Sequence, residues 1–319
     1  MSSGGLSRDS GFALLTYRVE GKSARAGLVV GDEVYDLAEA TGNDRLAHAG
    51  DVLANWDTNL RELRRAAESR DRSAFVGKAD ALALGPPVPD SGALFCAAAN
   101  YRDHMLAMAT KLGIDPEPDP HDLDVRPYHF LKPTRQTLAG PYAEVALPGH
   151  AETVDWEIEL VAVIGKTGRN IPVERALEHV AAYTVGIDLS ARDRRHMKRP
   201  NVPDGSLFRT DFLAMKGFEN SCPVGPWIVP ADLIGDPQNL ELKLWIDGQL
   251  RQSSSTANMI FSVAEQISRI SELTAVLPGD LVLTGTPAGT GAETGLFLER
   301  GQRVTAWIEA IGTLEIRIV

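Results

Sequence analysis

Cysteine is scarce in this chain. Cys96 and Cys222 are the only two, and they stand far apart in sequence. That spacing does not fit a thiolate metal site, and it favours a reduced compartment over a disulfide framework. Cys96, inside the apolar run Leu94–Ala99, reads as a small buried hydrophobe. A dominant basic run is missing as well. Lys and Arg number 32 against 43 Asp and Glu, for a net charge of -11, which argues against a nucleic-acid partner. The Arg-rich stretch from Arg192 to Arg199 is only local. No apolar run is long enough to span a bilayer, and Met1–Gly5 has neither the charged head nor the apolar core of a leader. The expectation is therefore a cytoplasmic protein without a membrane partner. There is no internal repeat. An acidic protein that takes an anionic substrate needs local cations or a metal to reverse its field.

The 319 residues suffice for one large domain or two smaller ones, and the 44% hydrophobic and 24% charged content is that of an ordinary globular chain. Residues 11 to 38 alternate like short strands broken at Gly21-Lys22 and Gly31-Asp32. The spacing of Leu53, Trp56, Leu60, Leu63 and Ala67 predicts a helix from about Asp51 to Arg70. The stiff segment Gly85–Asp90 then places a boundary near residue 90, with a small N-terminal domain at 1–90 and the remainder at 91–319. That remainder reads as many short strands with few helices, a mixed β-rich fold of the α+β class. Its helices are expected over Val173–Ala182, introduced by Pro172, and Asn258–Ile270. Prolines at 116, 118 and 120 mark a surface loop or lid within residues 108–126.

The most informative stretch is Asp155-Trp156-Glu157-Ile158-Glu159-Leu160. As a strand it sets its three carboxylates on one face, roughly 7 Å apart, and Trp156, Ile158 and Leu160 on the other. Val161 and Val163 continue the acidic face as an apolar one. Carboxylates at the mouth of a core call for a neutralising cation, whereas an exposed strand end would carry ordinary surface acids. Asp188 ends the apolar run Ala181–Ile187, as a helix cap or a site residue. Ser190 and Asp193 could cap the next turn and free Asp188 for other work. Glu157, Glu159 and Asp188 would together suit a hard cation such as Mg²⁺ or Mn²⁺. His104, just after the Leu94 run, is placed as a base or as a structural histidine. Lys216 is a solvated lysine or an electrophile for a carbonyl oxygen. The loop Thr284–Gly291 is Gly-rich without the Lys and spacing of a P-loop; its amides and the Thr286 hydroxyl could hold a carboxylate.

Asn100–His104, Asp155–Leu160 with Val163–Gly165, Asp188–Asp193, Cys222–Trp227, and Pro278–Asp280 running into Thr284–Pro287 occur in one order. This ordered set, over residues 94 to 319, resembles the fumarylacetoacetate hydrolase family. The resemblance implies a mixed β-sandwich or β-roll catalytic domain and a homodimer. It also implies a divalent cation, Mg²⁺ or Mn²⁺ with Ca²⁺ an alternative, on Glu157, Glu159 and Asp188. Substrates would be acylpyruvates or related 2-oxo and β-diketo acids. His104 would deprotonate a water, Lys216 would stabilise the developing oxyanion, and Thr286 and Tyr101 would bind substrate.

Two positions depart from the family pattern. The carboxylate that commonly orients the histidine three residues on is here Ala107, so either another acid, such as Glu117, Asp119 or Asp122, substitutes, or His104 works without an orienting carboxylate. Arg195 stands where relatives often carry Gln. It is expected either to recognise a second carboxylate, with Arg199, or to form an exposed basic turn. The resulting expectation is a metal-dependent hydrolase of a carbon–carbon bond in an acylpyruvate-like acid. The alternatives are a decarboxylase or isomerase of 2-oxo acids on the same site, or a metabolite-binding protein without turnover.

Overall fold

The computed structural model describes residues 11–19, 21, 23–193 and 211–319. Its largest sheet runs, strand by hydrogen-bonded strand, through Phe75–Lys78, Glu33–Asp36, Arg25–Val30, Phe12–Arg18, Cys222–Pro230, Val180–Ile187, Ile158–Ile164, Leu281–Leu283, Leu94–Ala97 and His129–Lys132. The sheet curls back on itself. Just beyond Lys132, Leu138–Ala139 pairs in parallel with Cys222 and Pro223. A second sheet of five strands includes Glu241–Ile246, Arg303–Ile308 and Gly312–Ile318. The result is the expected β-rich α+β fold.

The alternation in the central strand sorts side chains between two cores. Trp156, Ile158, Leu160, Ala162 and Ile164 join one cluster with Leu242, Leu244, Val304 and Leu314 of the second sheet. Val161 and Val163 join the other, inside the curl, with Leu94, Cys96, Cys222 and Leu283. Glu157 and Glu159 share the face of Val161 and Val163, so the acidic face does become an apolar one that enters a core. Both cysteines are buried free thiols.

Several boundaries differ from expectation. The acidic stretch is not one strand: Val154–Asp155 pairs with Ser190–Ala191, and the central strand begins only at Ile158. Val173–His179 is a 3-10 helix, and Val180 already opens a strand. That strand is rich in β-branched residues and paired on both sides, which outweighs the helical spacing. The helix expected from Asp51 breaks at Asn55 into Ala49–Ala54 and Trp56–Ser69. The helix expected from Asn258 begins at Val263, because Ser262 and Glu265 form a capping box there. Ser190 caps no helix; it lies in a strand, and its hydroxyl donates to the Asp188 carbonyl.

The Gly85–Asp90 connector separates the N-terminal elements in sequence but not in hydrogen bonding, since Leu14 pairs with Ile228 in the shared sheet. Among the described residues no helix is long and apolar enough to cross a membrane.

Candidate active site

Two adjacent antiparallel strands bring the acids together. Ile158 pairs with Ile187, so Glu157, just before one strand, faces Asp188, just after the other. The Asp188 amide donates to the Glu157 carbonyl at 2.8 Å. One oxygen from each of Glu157, Glu159 and Asp188 lies within 4.8 Å of the others, and all three side chains are buried. The next strand on the other side, Leu281–Leu283, leads directly into Thr284, whose amide and hydroxyl both donate to the Leu160 carbonyl.

Cations surround this cluster. Lys216 Nζ donates to Glu157 Oε2 at 2.9 Å and to Asp188 Oδ2 at 2.5 Å. Lys132, which the sequence reading did not single out, is buried with it. Its Nζ pairs with Asp188 and donates to the Ser221 carbonyl at 2.8 Å. The curl of the sheet is what carries Lys132 to that position. Arg192 joins Glu157 and Asp155, with its Nε 3.1 Å from Asp155 Oδ2. Burial alone would raise the Glu157 carboxyl, but Lys216 and Arg192 hold it down at about 2. Burial likewise works against the Lys216 ammonium, yet Asp188 and Glu157 raise it above the ordinary lysine range, so it stays charged. Asp155 and Glu159 move the other way. Burial raises the Asp155 carboxyl despite the Arg192 charge. Glu159 accepts from the Gly285 amide at 2.6 Å, and burial with the charges of Asp188 and Glu157 drives it well above the carboxylate range.

This imbalance tests the site for a metal. Among the described residues, Asp155, Glu157, Glu159 and Asp188 face three fixed cations, Lys132, Lys216 and Arg192, and none of these three pairs with Glu159. One further cation would let all four ionise, and the donors are all oxygen, as a hard divalent ion requires. The trio therefore fits such an ion.

His104 lies in the helix Arg102–Leu112, beyond the buried strand Leu94–Ala97. Its orienting acid is none of the three expected. Glu293 pairs with His104 Nδ1, while its other oxygen accepts from the Gly289 amide at 2.6 Å. Glu293 belongs to the short helix Gly291–Thr294, whose opening amides, Gly291 and Ala292, both donate to Asp155. Asp119 is engaged elsewhere, with Arg102 and His121, and Glu117 and Asp122 are exposed. The proline-rich segment docks instead on the helix Val263–Leu273, through His121 to Glu265 and Arg126 to Glu272.

Thr286 is buried, and its Oγ1 accepts from Gln252 Nε2 at 2.9 Å, which leaves its own proton free to donate. Gln252 also donates to the Pro287 carbonyl and accepts from the Ile158 amide, so it ties the loop to the central strand. Gly285 has φ +93, and a Cβ there would lie 2.8 Å from the Asn100 side chain. Tyr101 is fully buried near the charge of Glu159, and among the described residues its enclosed hydroxyl has no hydrogen-bond partner. Arg195 and Arg199 lie outside the described residues.

Buried cations, a carboxylate trio suited to a hard divalent ion, and a histidine with its orienting acid define an enzyme built on a curled mixed sheet. The chain belongs to the fumarylacetoacetate hydrolase family. The sequence profile of the fumarylacetoacetate (FAA) hydrolase C-terminal domain matches residues 93–319. A human relative, oxaloacetate tautomerase FAHD2B, mitochondrial, is 36% identical over 238 residues, 73% of this chain and 68% of the relative. The crystal structure of maleylpyruvate hydrolase from Sphingobium sp. SYK-6 superposes with a TM-score of 0.72 at 26% identity, over 96% of this chain and 99% of that one. Fumarylpyruvate hydrolase from Pseudomonas aeruginosa, in complex with Mn²⁺ and pyruvate, is 36% identical with a TM-score of 0.60, over 72% of this chain and 90% of that one.

Proposed function

We propose that this chain is a divalent-metal-dependent hydrolase that cleaves the carbon–carbon bond of an acylpyruvate, with Mg²⁺ or Mn²⁺ on Glu157, Glu159 and Asp188. The observation that carries the hydrolytic reading is the His104–Glu293 pair. An attacking water needs a base, and the Ala107 position had left that base without support. Glu293 holds Nδ1 and thereby turns Nε2 out as the proton acceptor.

The ion, when bound, supplies Lewis-acid stabilisation for the electron-rich oxygen that develops on the 2-oxo acid. The protein does the rest. The Thr286 hydroxyl donates to the substrate carboxylate. His104 Nε2 takes a proton from water, whose oxygen bonds to the distal carbonyl carbon. Lys216, held positive, faces the oxyanion formed there. The bond between that carbon and the methylene then breaks. Its electron pair leaves as the enolate of pyruvate, which takes a proton back at carbon 3. One water is consumed, and one carboxylic acid and one pyruvate are released. The Tyr101 hydroxyl, which has no partner among the described residues, and Arg195 are proposed to meet further polar groups on the substrate. A homodimer and a cytoplasmic setting remain part of this proposal.

The 36% identity to an oxaloacetate tautomerase supports a second reading, in which the same histidine only moves a proton between carbon and oxygen. Acetylpyruvate and oxaloacetate, each incubated with Mn²⁺ and the protein, separate the two. Acetate and pyruvate in equal amounts are expected from acetylpyruvate. Rapid keto–enol exchange of oxaloacetate with no cleavage of acetylpyruvate would overturn the hydrolase reading, as would carbon dioxide as the main product.

A further inference from the structure

Two separate elements repeat one arrangement beside the site. In the strand His129–Lys132, residues two apart share a face, so Phe130 points to the side from which Lys132 reaches Asp188. In the helix Phe212–Lys216, residues four apart share a face, so Phe212 lies on the side from which Lys216 reaches Glu157 and Asp188. The two phenyl rings stack, with centroids 6.2 Å apart and planes inclined by 24°. Lys216 Nζ lies 5.1 Å from the Phe130 centroid. From the carboxylates outward the order is therefore lysine, Phe130, Phe212. The outer ring is not a core residue: Phe212 is 59% exposed. Its neighbour Leu213 is 66% exposed and continues the apolar rim.

We infer that the Phe130–Phe212 stack is the subsite for the acyl tail of the substrate, and that it selects a planar, unsaturated or aryl tail. The inference rests on the acylpyruvate reading. In that reading Lys216 faces the distal carbonyl, and the tail is the group bonded to that carbonyl carbon. A tail next to Lys216 Nζ is also next to the Phe130 ring. A flat π-system can lie against the stack and extend it outward, gaining an offset aromatic contact that a methyl group cannot make. A tail ending in a carboxylate would meet the electron-rich ring faces there.

Selectivity tests this, first in turnover and then in binding. The ratio of kcat/KM for benzoylpyruvate to that for acetylpyruvate is expected to fall roughly three- to tenfold in Phe212→Ala, and part of the way in Phe212→Leu, which stays apolar but loses the ring. In binding, the Mn²⁺-loaded protein is titrated with 4-phenyl-2-oxobutanoate and with 2-oxopentanoate, neither of which has the scissile bond. Tighter binding of the phenyl acid, lost in Phe212→Ala, is expected. If that preference is present but no acylpyruvate is cleaved, the subsite stands and only the hydrolase reading fails. An equal effect of Phe212→Ala on both ligands, or no effect on either, overturns the subsite. A change of oligomeric mass in the variant by light scattering also overturns it, because the rings would then be a contact between copies.

Discussion

Asp155 joins the two halves of the site. One carboxylate receives the Trp156, Gly291 and Ala292 amides and the Arg192 guanidinium. Through Gly291 and Ala292 it fixes the short helix that carries Glu293, and so the ring of His104. Through Arg192 it reaches Glu157. Asp155 is thus a positioning residue, and the expected signature is coupling. Glu293→Gln should lower kcat by about 10²-fold, the scale of general-base assistance, with little change in Mn²⁺ affinity. Adding Asp155→Asn to it should cost less than Asp155→Asn costs in the parent, as a double-mutant cycle in kcat would show. Losses that simply multiply would mean that Asp155 acts elsewhere.

His129 gives a separate residue-scale prediction. Burial holds its imidazole down at about 4, and the nearby Arg269 charge adds to this. Since that value lies below the ordinary histidine value, the neutral ring contributes stability above about pH 6.5, which is lost as pH falls towards 4. Urea midpoints should therefore decline over that window, and His129→Gln should flatten the decline. Identical pH profiles would refute it. Legibility at this scale followed proximity in sequence. Glu157 and Glu159 announced themselves by alternation, and Asp188 by ending an apolar run. Glu293 stands 189 positions from the histidine it orients, in an ordinary Gly-Ala-Glu-Thr turn, so only the fold could pair them. Lys132 was hidden likewise, because only the curl of the sheet brings it to Asp188.

Among the elements, the loop Thr284–Gly291 was recognised by its glycines, but its anchor was not. Gln252 lies in the strand Gln249–Ser255 of the second sheet and binds both the loop and the Ile158 amide. Replacing it with Ala leaves three buried groups short of a partner, an expected destabilisation of about 1–3 kcal/mol. The freed Thr286 should also raise KM for 2-oxo acids more than it lowers kcat. Calorimetric melting together with steady-state kinetics checks this; an unchanged KM would detach the loop from carboxylate binding. The misplaced helix at Val173–Ala182 has the opposite origin. Pro172 does start a helical turn, but Val180–Ile187 is claimed by strands on both sides. Non-local pairing settled an element that local spacing left ambiguous.

For the whole molecule, composition and punctuation were enough for a β-rich α+β chain, since short strands and turn signals are local properties. The continuity of the large sheet across the Gly85–Asp90 connector was not legible, because no local pattern shows that Leu14 will pair with Ile228. The same limit applies to the site, whose parts come from segments spread between His104 and Glu293. What unites them is charge: among the described residues four buried acids face three fixed cations, none of which pairs with Glu159. The most direct test is diffraction from crystals grown with Mn²⁺, with data recorded at the manganese edge. A single anomalous peak is expected between Glu157, Glu159 and Asp188, within coordinating reach of one oxygen of each. A map with no peak there, in protein crystallised at saturating Mn²⁺, would contradict the account at its root.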